Sequence, residues 1–227
     1  MKRSLSHGSI VSLVVFSSFL RFPQMGLSSQ SSPRQELTLL VYTYTDLSTY
    51  QARKIRERVT FIYENAGIRI NWLDCSQGAE GHQIQAACAH PLCPSDLVIR
   101  LLDQSGTSKV GSRMTPLGHS FVSGRGGSYG SVFFATVKEL ARGNRTSEIE
   151  ILGHAIAHEI GHLLLGTEAH ASAGIMKAQW KEKDFSEMLM TNGLLFSEQQ
   201  AKSLKICLSA RQKKAVGHQA ASLNGLP

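Results

Sequence analysis

The sequence predicts an α+β fold with a mixed, twisted β-sheet, and three observations support this class. An alternating apolar segment, an amphipathic helix and a second strand follow one another near the start, which is the order of a βαβ unit. Further strand segments occupy the middle of the chain, and two helices its last third. The 227 residues are 42% hydrophobic and 18% charged, an ordinary globular composition. We expect one folded domain over residues 36–212.

The first half of the chain supplies the predicted sheet, with an α/β-like arrangement at its N-terminal end. Residues 36–45 (ELTLLVYTYT) alternate and are rich in β-formers, which predicts a strand. Residues 47–66 have apolar side chains at helical spacing, and Gly67 ends that helix before a strand at 68–73. A crossover of this kind is normally right-handed, with parallel strands. The remaining predicted strands are 96–102, 118–122 and 131–137.

Residues 124–130 (GRGGSYG) lie between the last two predicted strands. They do not match a phosphate-binding glycine pattern, and no helix is predicted directly after them. The simplest interpretation is a hairpin connection beside a cleft. As a hypothesis, residues 131–137 form a sheet edge to which an extended peptide adds as a strand.

The most specific feature of the chain is HEIGH at positions 158–162. An α-helix has about 3.6 residues per turn, so His158 and His162 lie on one face and can direct two imidazole nitrogens at one metal ion. Glu159 lies next to them, where a carboxylate can take a proton from a water molecule. HExxH on a helix is the arrangement of zinc hydrolases. The pattern therefore predicts a zinc site with Glu159 as the general base.

The surroundings of this motif predict a buried helix over residues 148–165. Residues 147–150 (SEIE) are typical of a capping box, and Gly166 is a good helix stop. Buried imidazoles need polar partners, and a metal ion supplies one. His154 lies one turn before His158, so we expect it behind the site or in the core. The helix is strongly apolar, with a stripe formed by Ile149, Leu152, Ile156, Ile160 and Leu163.

A catalytic zinc site keeps three protein ligands and one open position, so a third ligand is needed. Gly166 permits a sharp reversal that would bring His170 back to the metal, and we favour His170 for this reason. Glu168 is an alternative on the same turn. Glu182 is a second alternative, placed where a following helix would supply a ligand.

With these residues in view, the stretch HEIGHLLLGTEAHASAGIM from His158 to Met176 resembles the metzincin zinc peptidases, and most of all their matrixin branch. The resemblance implies that His158, His162 and His170 bind Zn²⁺ and that Glu159 is the general base. It also implies that Met176 forms a hydrophobic floor below the metal. The glycine comes one residue later than in the family pattern and the third histidine two residues later, so this loop cannot adopt the family's standard turn.

The same resemblance implies a metzincin-like catalytic domain over residues 36–212, with an active-site helix and a C-terminal helix. The implied activity is that of a zinc metalloendopeptidase acting on a peptide or protein substrate. Two alternatives stay open from the sequence. One is a zinc-containing binding protein on the same fold that does not cleave, and the other is a zinc amidase that acts on cell-wall material.

The N-terminus predicts export from the cytoplasm. Lys2 and Arg3 precede a mostly apolar run at residues 10–20, which is too short to span a bilayer, and small residues follow it. We therefore expect a signal peptide within residues 1–30, no integral membrane span, and a secreted, periplasmic or cell-envelope protein. Four cysteines agree with this prediction. We favour a Cys75–Cys88 disulfide, with Cys93 either free or paired to Cys207.

The formal net charge of +7 arises from scattered basic residues. A nucleic-acid-binding protein needs a concentrated basic face with aromatic residues, so no nucleic-acid partner is expected. Separately, we expect the domain to be a monomer. The last predicted helix covers residues 196–211, with Ser197 as its cap, and residues 213–227 are expected to form a loose tail.

Overall fold

A computed structural model describes residues 35–76, 88–89, 91–106, 115–123, 126–190 and 193–223. The signal peptide predicted for residues 1–30 lies outside these residues, as does most of the loop between Cys75 and Cys88. Among the residues that the structure describes, no helix is long and apolar enough to cross a bilayer.

The described strands form one mixed sheet, as predicted. In spatial order β2-β1-β3-β5-β4, neighbouring strands are parallel except for the antiparallel pair β4 and β5. The predicted βαβ unit is confirmed, since β1 and β2 are parallel and joined by a helix. The strands are β1 (Gln35–Tyr44), β2 (Ile68–Asp74), β3 (Leu97–Leu102), β4 (Gly118–Ser123) and β5 (Gly126–Phe133).

Five helices accompany the sheet in the described residues. The first begins at a complete capping box, in which Ser48 and Gln51 satisfy each other's backbone N–H groups. The last begins with the same reciprocal contact between Ser197 and Gln200, so the predicted cap is confirmed. The helices are α1 (Thr49–Asn65), α2 (Phe134–Asn144), α3 (Glu148–Leu165), α4 (Glu182–Leu189) and α5 (Glu198–Leu223). α5 thus extends beyond its predicted end and includes most of the predicted tail.

The strand predicted at residues 131–137 is confirmed only for residues 131–133, and the sheet edge placed there was wrong. β5 begins at Gly126, and the chain turns into α2 at Phe134. β5 lies between β3 and β4, so β4 is the edge strand on this side of the sheet, and β2 is the edge strand on the other. Gly126, Gly127 and Gly130 belong to β5, where the absence of side chains permits close approach: a Cβ atom at Gly127 would lie 2.2 Å from the carbonyl oxygen of Phe121.

Helix α3 is the centre of the core. Every residue from Ile151 to Leu164 is buried, and the helix packs against the sheet and the other four helices. Its predicted bounds are confirmed, and Gly166 ends it with a left-handed φ of 69°. The predicted capping box was wrong: Ser147 makes no side-chain cap hydrogen bond. The Glu150 carboxylate instead pairs with Arg58 of α1, with Nε and Oε2 2.6 Å apart.

The predicted Cys75–Cys88 disulfide is present, whereas Cys93 and Cys207 are free thiols. Cys75 belongs to a small second core, separate from the core around α3, that also contains Leu40 and Val98. The disulfide therefore fixes one end of the loop that follows β2 against the sheet.

Arg211 ties α5 to the rest of the domain. Its guanidinium donates from Nε to the carbonyl of Pro94 at 2.8 Å, and from Nη1 to the carbonyls of Gly127 at 2.8 Å and Leu163 at 3.2 Å. These acceptors belong to three different elements, and one of them is in the last turn of α3. A buried cation at this helix end also suits the negative end of the helix dipole.

We predict that Arg211→Met lowers the free energy of unfolding by about 2–4 kcal/mol, because buried carbonyls lose charge-assisted donors while the apolar stem is kept. Urea denaturation measures the change. Lys214→Met, on the exposed side of the same helix, is the matched control and should be nearly neutral. Equal midpoints for the two variants would contradict the role of Arg211.

Candidate metal centre

The structure brings together the three histidines that the sequence selects. His158, His162 and His170 each offer a ring nitrogen, and these atoms all lie within 4.8 Å of one another. His158 and His162 are buried on α3, and His170 is an exposed residue of the loop that follows. The described residues contain no other group of three His, Cys, Asp or Glu side chains at such distances. The alternatives Glu168 and Glu182 are not part of it.

Backbone contacts of the loop after α3 place His170. The left-handed Gly166 turns the chain, and a Cβ atom there would lie 2.7 Å from the backbone nitrogen of Gly126, so only glycine fits. Beyond the turn, Ala171 donates its N–H to the carbonyl of Met176 at 2.8 Å and bridges to Lys177. His170 therefore lies between the turn at Gly166 and the hydrogen bond from Ala171 to Met176. These two contacts position it although its distance from His162 in the sequence differs from that in the metzincin pattern.

The hydrogen bonds of the two buried histidines fit a metal ion. His158 donates from Nδ1 to the carbonyl of Ile175 at 2.8 Å, and His162 donates from Nδ1 to the carbonyl of Thr167 at 2.7 Å. Each ring then presents a lone pair on Nε2, and the two Nε2 atoms are only 2.9 Å apart. Two lone pairs at this distance repel each other unless a cation accepts both. Three neutral imidazoles are a donor set that suits zinc.

The protonation states agree with this arrangement. Burial lowers the pKa of His158 to about 3, and burial also lowers the pKa values of His162 and His170. All three rings are therefore neutral near pH 7, which is the form that binds a metal ion.

The carboxylate of Glu159 is held against the edge strand. Residue Glu159 is 6% exposed, and Oε2 accepts a 2.6 Å hydrogen bond from the hydroxyl of Ser120. A Cβ atom at Gly118 would lie 2.5 Å from Oε1, so the glycine leaves the space that the carboxylate fills. Burial raises the pKa of Glu159 to about 7, against the opposing effect of the Ser120 hydrogen bond.

Ser120 and Gly118 were not predicted from the sequence. The alternation of β4 indicates that Ser120 is buried, because it is a small polar residue between the exposed side chains of His119 and Phe121. This pattern places Ser120 on the inward face but does not say which helix residue it meets. His119 packs edge-on against Phe121, with ring centroids 4.8 Å apart, and is not part of the histidine group.

Met176 packs against α3, and Trp180 packs against His158. Met176 is buried, and a Cβ atom at Gly161 would lie 2.6 Å from its sulfur, so Gly161 lets the methionine reach α3 between His158 and His162. Trp180 packs edge-on against His158, with ring centroids 5.8 Å apart. Trp180 was not among the residues selected from the sequence.

His154 is a core histidine with both ring nitrogens paired, as expected. Nδ1 donates to the carbonyl of Glu150 at 2.7 Å, and Nε2 accepts the N–H of Leu194 at 3.2 Å. No nitrogen remains for a metal. Its burial lowers the pKa of the ring to about 4, so the folded protein keeps His154 neutral.

No protein-family model and no curated protein matches this sequence. Among solved structures, 46 chains are similar. One is an archaemetzincin from Methanopyrus kandleri, at 14% identity and a TM-score of 0.49, covering 77% of this chain and 96% of the other. Another is metalloproteinase-II from Bacteroides fragilis, at 14% identity and a TM-score of 0.44, covering 79% of this chain but 55% of the other. Neither similarity assigns a ligand or a catalytic residue to this chain.

We predict that His154 makes the metal-free protein sensitive to acid. Its folded-state pKa of about 4 is below the unfolded value of ~6.5, so its stabilising contribution is present above pH ~6.5 and is lost as the pH falls towards 4. Urea denaturation with a chelator present should show a smaller loss between pH 7 and 4 for His154→Gln than for the wild type, by on the order of 3 kcal/mol.

The matched control is His119→Gln, which replaces an exposed histidine of β4 by the same residue. If the stability of His154→Gln fell with pH as steeply as that of the wild type, proton uptake by His154 would not contribute to acid unfolding.

Proposed function

We propose that this protein is a zinc-dependent metalloendopeptidase that hydrolyses peptide bonds with Glu159 as general base. The observation that carries the proposal is the group of three neutral imidazoles within 4.8 Å of one another, adjacent in the chain to a buried carboxylate. Three imidazoles and a neighbouring carboxylate form the arrangement that hydrolytic zinc sites use.

In this proposal His158, His162 and His170 hold the ion, and the first two are kept in the ligand tautomer by the carbonyls of Ile175 and Thr167. When bound, zinc supplies Lewis acidity that polarises a carbonyl and lowers the pKa of a water molecule. Met176 closes the floor of the site.

Glu159 transfers the protons of the reaction. Ser120 occupies Oε2, so Oε1 is the oxygen left to take a proton from water and to deliver it to the leaving nitrogen of the substrate. Burial raises the pKa of this carboxyl, which favours its uptake of a proton. The hydrogen bond from Ser120 keeps the carboxylate from rotating away.

We further propose that the substrate pairs with β4. Among the described strands β4 has a neighbour on one side only, so its other edge can accept an extended peptide as an added strand. Gly118 and Ser120 of β4 contact Glu159, which would place a paired peptide bond beside the base. This edge replaces the one predicted at residues 131–137.

A secreted, periplasmic or cell-envelope location is part of the proposal. The Cys75–Cys88 disulfide is compatible with an oxidising compartment. The signal peptide within residues 1–30 stays a prediction.

Two alternatives compete with this proposal: zinc binding without cleavage, and hydrolysis of a non-peptide amide in cell-wall material. Incubating the purified protein with unfolded casein, with and without a chelator, distinguishes them. Chelator-sensitive cleavage supports the peptidase. Release of amines from cell-wall fragments without casein cleavage would favour the amidase, and neither activity would favour the binding protein.

We predict that Glu159→Ala keeps stoichiometric zinc and loses casein hydrolysis by at least about 100-fold, because it removes the proton acceptor but no ligand. Zinc content and initial rates measure the two effects. The matched control is Glu168→Ala, an exposed loop carboxylate near the site, which should retain both. Wild-type rates in the Glu159 variant would remove the assigned base.

A second prediction concerns the third ligand. His170→Ala should weaken zinc binding strongly, whereas Glu182→Ala, on α4 outside the histidine group, should bind zinc as the wild type does. Metal analysis after dialysis against a competing chelator gives the comparison. Loss of zinc in the Glu182 variant alone would assign the third ligand to α4 instead.

A further inference from the structure

The carbonyl of Ile175 accepts two side-chain hydrogen bonds. His158 Nδ1 donates to it at 2.8 Å, and Trp180 Nε1 donates to it at 3.1 Å. A carbonyl oxygen has two lone pairs, so both donors are accommodated. The N–H of Ile175 donates in turn to the carbonyl of Leu195 at 3.0 Å. Both polar groups of this residue are thus engaged, and its carbonyl direction is set by the indole as well as by the imidazole.

The Trp180 ring also contacts the histidines directly. Its centroid is 5.8 Å from that of His158, with the planes at 89°, and 6.5 Å from that of His154, with the planes at 81°. Edge-on packing of this kind restricts rotation of the imidazole. Trp180 therefore restricts the orientation of the His158 ring in two ways, through the carbonyl to which both side chains donate and through direct ring contact.

We propose that Trp180 is a positioning residue of the metal centre. Its indole N–H fixes the Ile175 carbonyl, and this carbonyl keeps the proton of His158 on Nδ1 and directs Nε2 towards the other two histidines. Without the indole donor, the carbonyl loses one of its two partners and is freer to turn, so His158 is less well oriented before the metal arrives. The inference rests on the proposed function through the role of His158 as a ligand.

A purely structural role for Trp180 makes a different prediction. If the indole only fills space, a phenyl ring should replace it with little effect on metal binding. Trp180→Phe keeps an aromatic ring beside His158 but removes the N–H donor, so it separates orientation from packing.

The test is the zinc affinity of Trp180→Phe, measured by competition with a chromogenic chelator. Hydrogen-bond partners behind metal ligands typically contribute about 10–100-fold to affinity, and we expect a loss of about 10-fold, with thermal stability of the metal-free protein close to that of the wild type. The matched control is Trp72→Phe. Trp72 is the chain's other tryptophan; it lies on β2 and contacts Arg56, so its replacement should leave zinc affinity unchanged.

The control variant also provides a direct readout, because Trp180 is then the chain's one tryptophan. Zinc addition to Trp72→Phe should change its fluorescence, since the indole adjoins His158. This measurement applies even if Trp180→Phe does not fold, and an unchanged spectrum at saturating zinc would overturn the inference. Equal zinc affinity of Trp180→Phe and the wild type would overturn the positioning role of Trp180 and leave the proposed function intact. No zinc binding by the wild type would overturn both.

Discussion

The burial of α3 on every side is the constraint on which the rest of the structure depends. Three imidazoles lie in this helix, at His154, His158 and His162, and a buried ring nitrogen without a partner is costly. His154 meets the requirement with two backbone groups. His158 and His162 meet it on Nδ1 only, which leaves their Nε2 lone pairs facing each other at 2.9 Å. The core thus creates a cation site as a consequence of its own packing.

The loops around α3 follow from the same requirement. The acceptors for His158 and His162 are the carbonyls of Ile175 and Thr167, and both belong to the segment between α3 and α4. The contact between Ala171 and Met176 closes this segment, and Gly166 starts it. The segment that supplies His170 therefore also orients the other two histidines, so the three rings are positioned as one unit.

Local sequence patterns predicted the parts of the molecule that local interactions determine. The bounds of α3 followed from the SEIE pattern at its start and from Gly166 at its end, although the side-chain cap itself does not form. The Cys75–Cys88 disulfide followed from the loop that it closes. The start of β5 at Gly126 was missed because close packing of glycines in the sheet overrode their usual preference for turns. The capping box failed because Arg58, a residue of another helix, pairs with Glu150.

Contacts between residues far apart in the chain could not be predicted from local sequence patterns. Ser120 and Glu159 are 39 residues apart in the chain, and no periodicity relates a strand residue to a particular helix residue. The same holds for Trp180, whose partner is a backbone carbonyl that the sequence letters do not reveal. The three histidines could be selected because their residue type and spacing are a sequence pattern, whereas the groups that orient them act through tertiary packing.

The close packing of β4 on α3 sets the chemistry of Glu159. Glu159 is buried. Loss of water raises the pKa of its carboxyl, and the hydrogen bond from Ser120 only partly offsets this effect. Gly118 permits this packing because a side chain there would displace the carboxylate. A single edge strand therefore determines where Glu159 lies, how strongly it holds a proton and, in the proposed function, where the substrate binds.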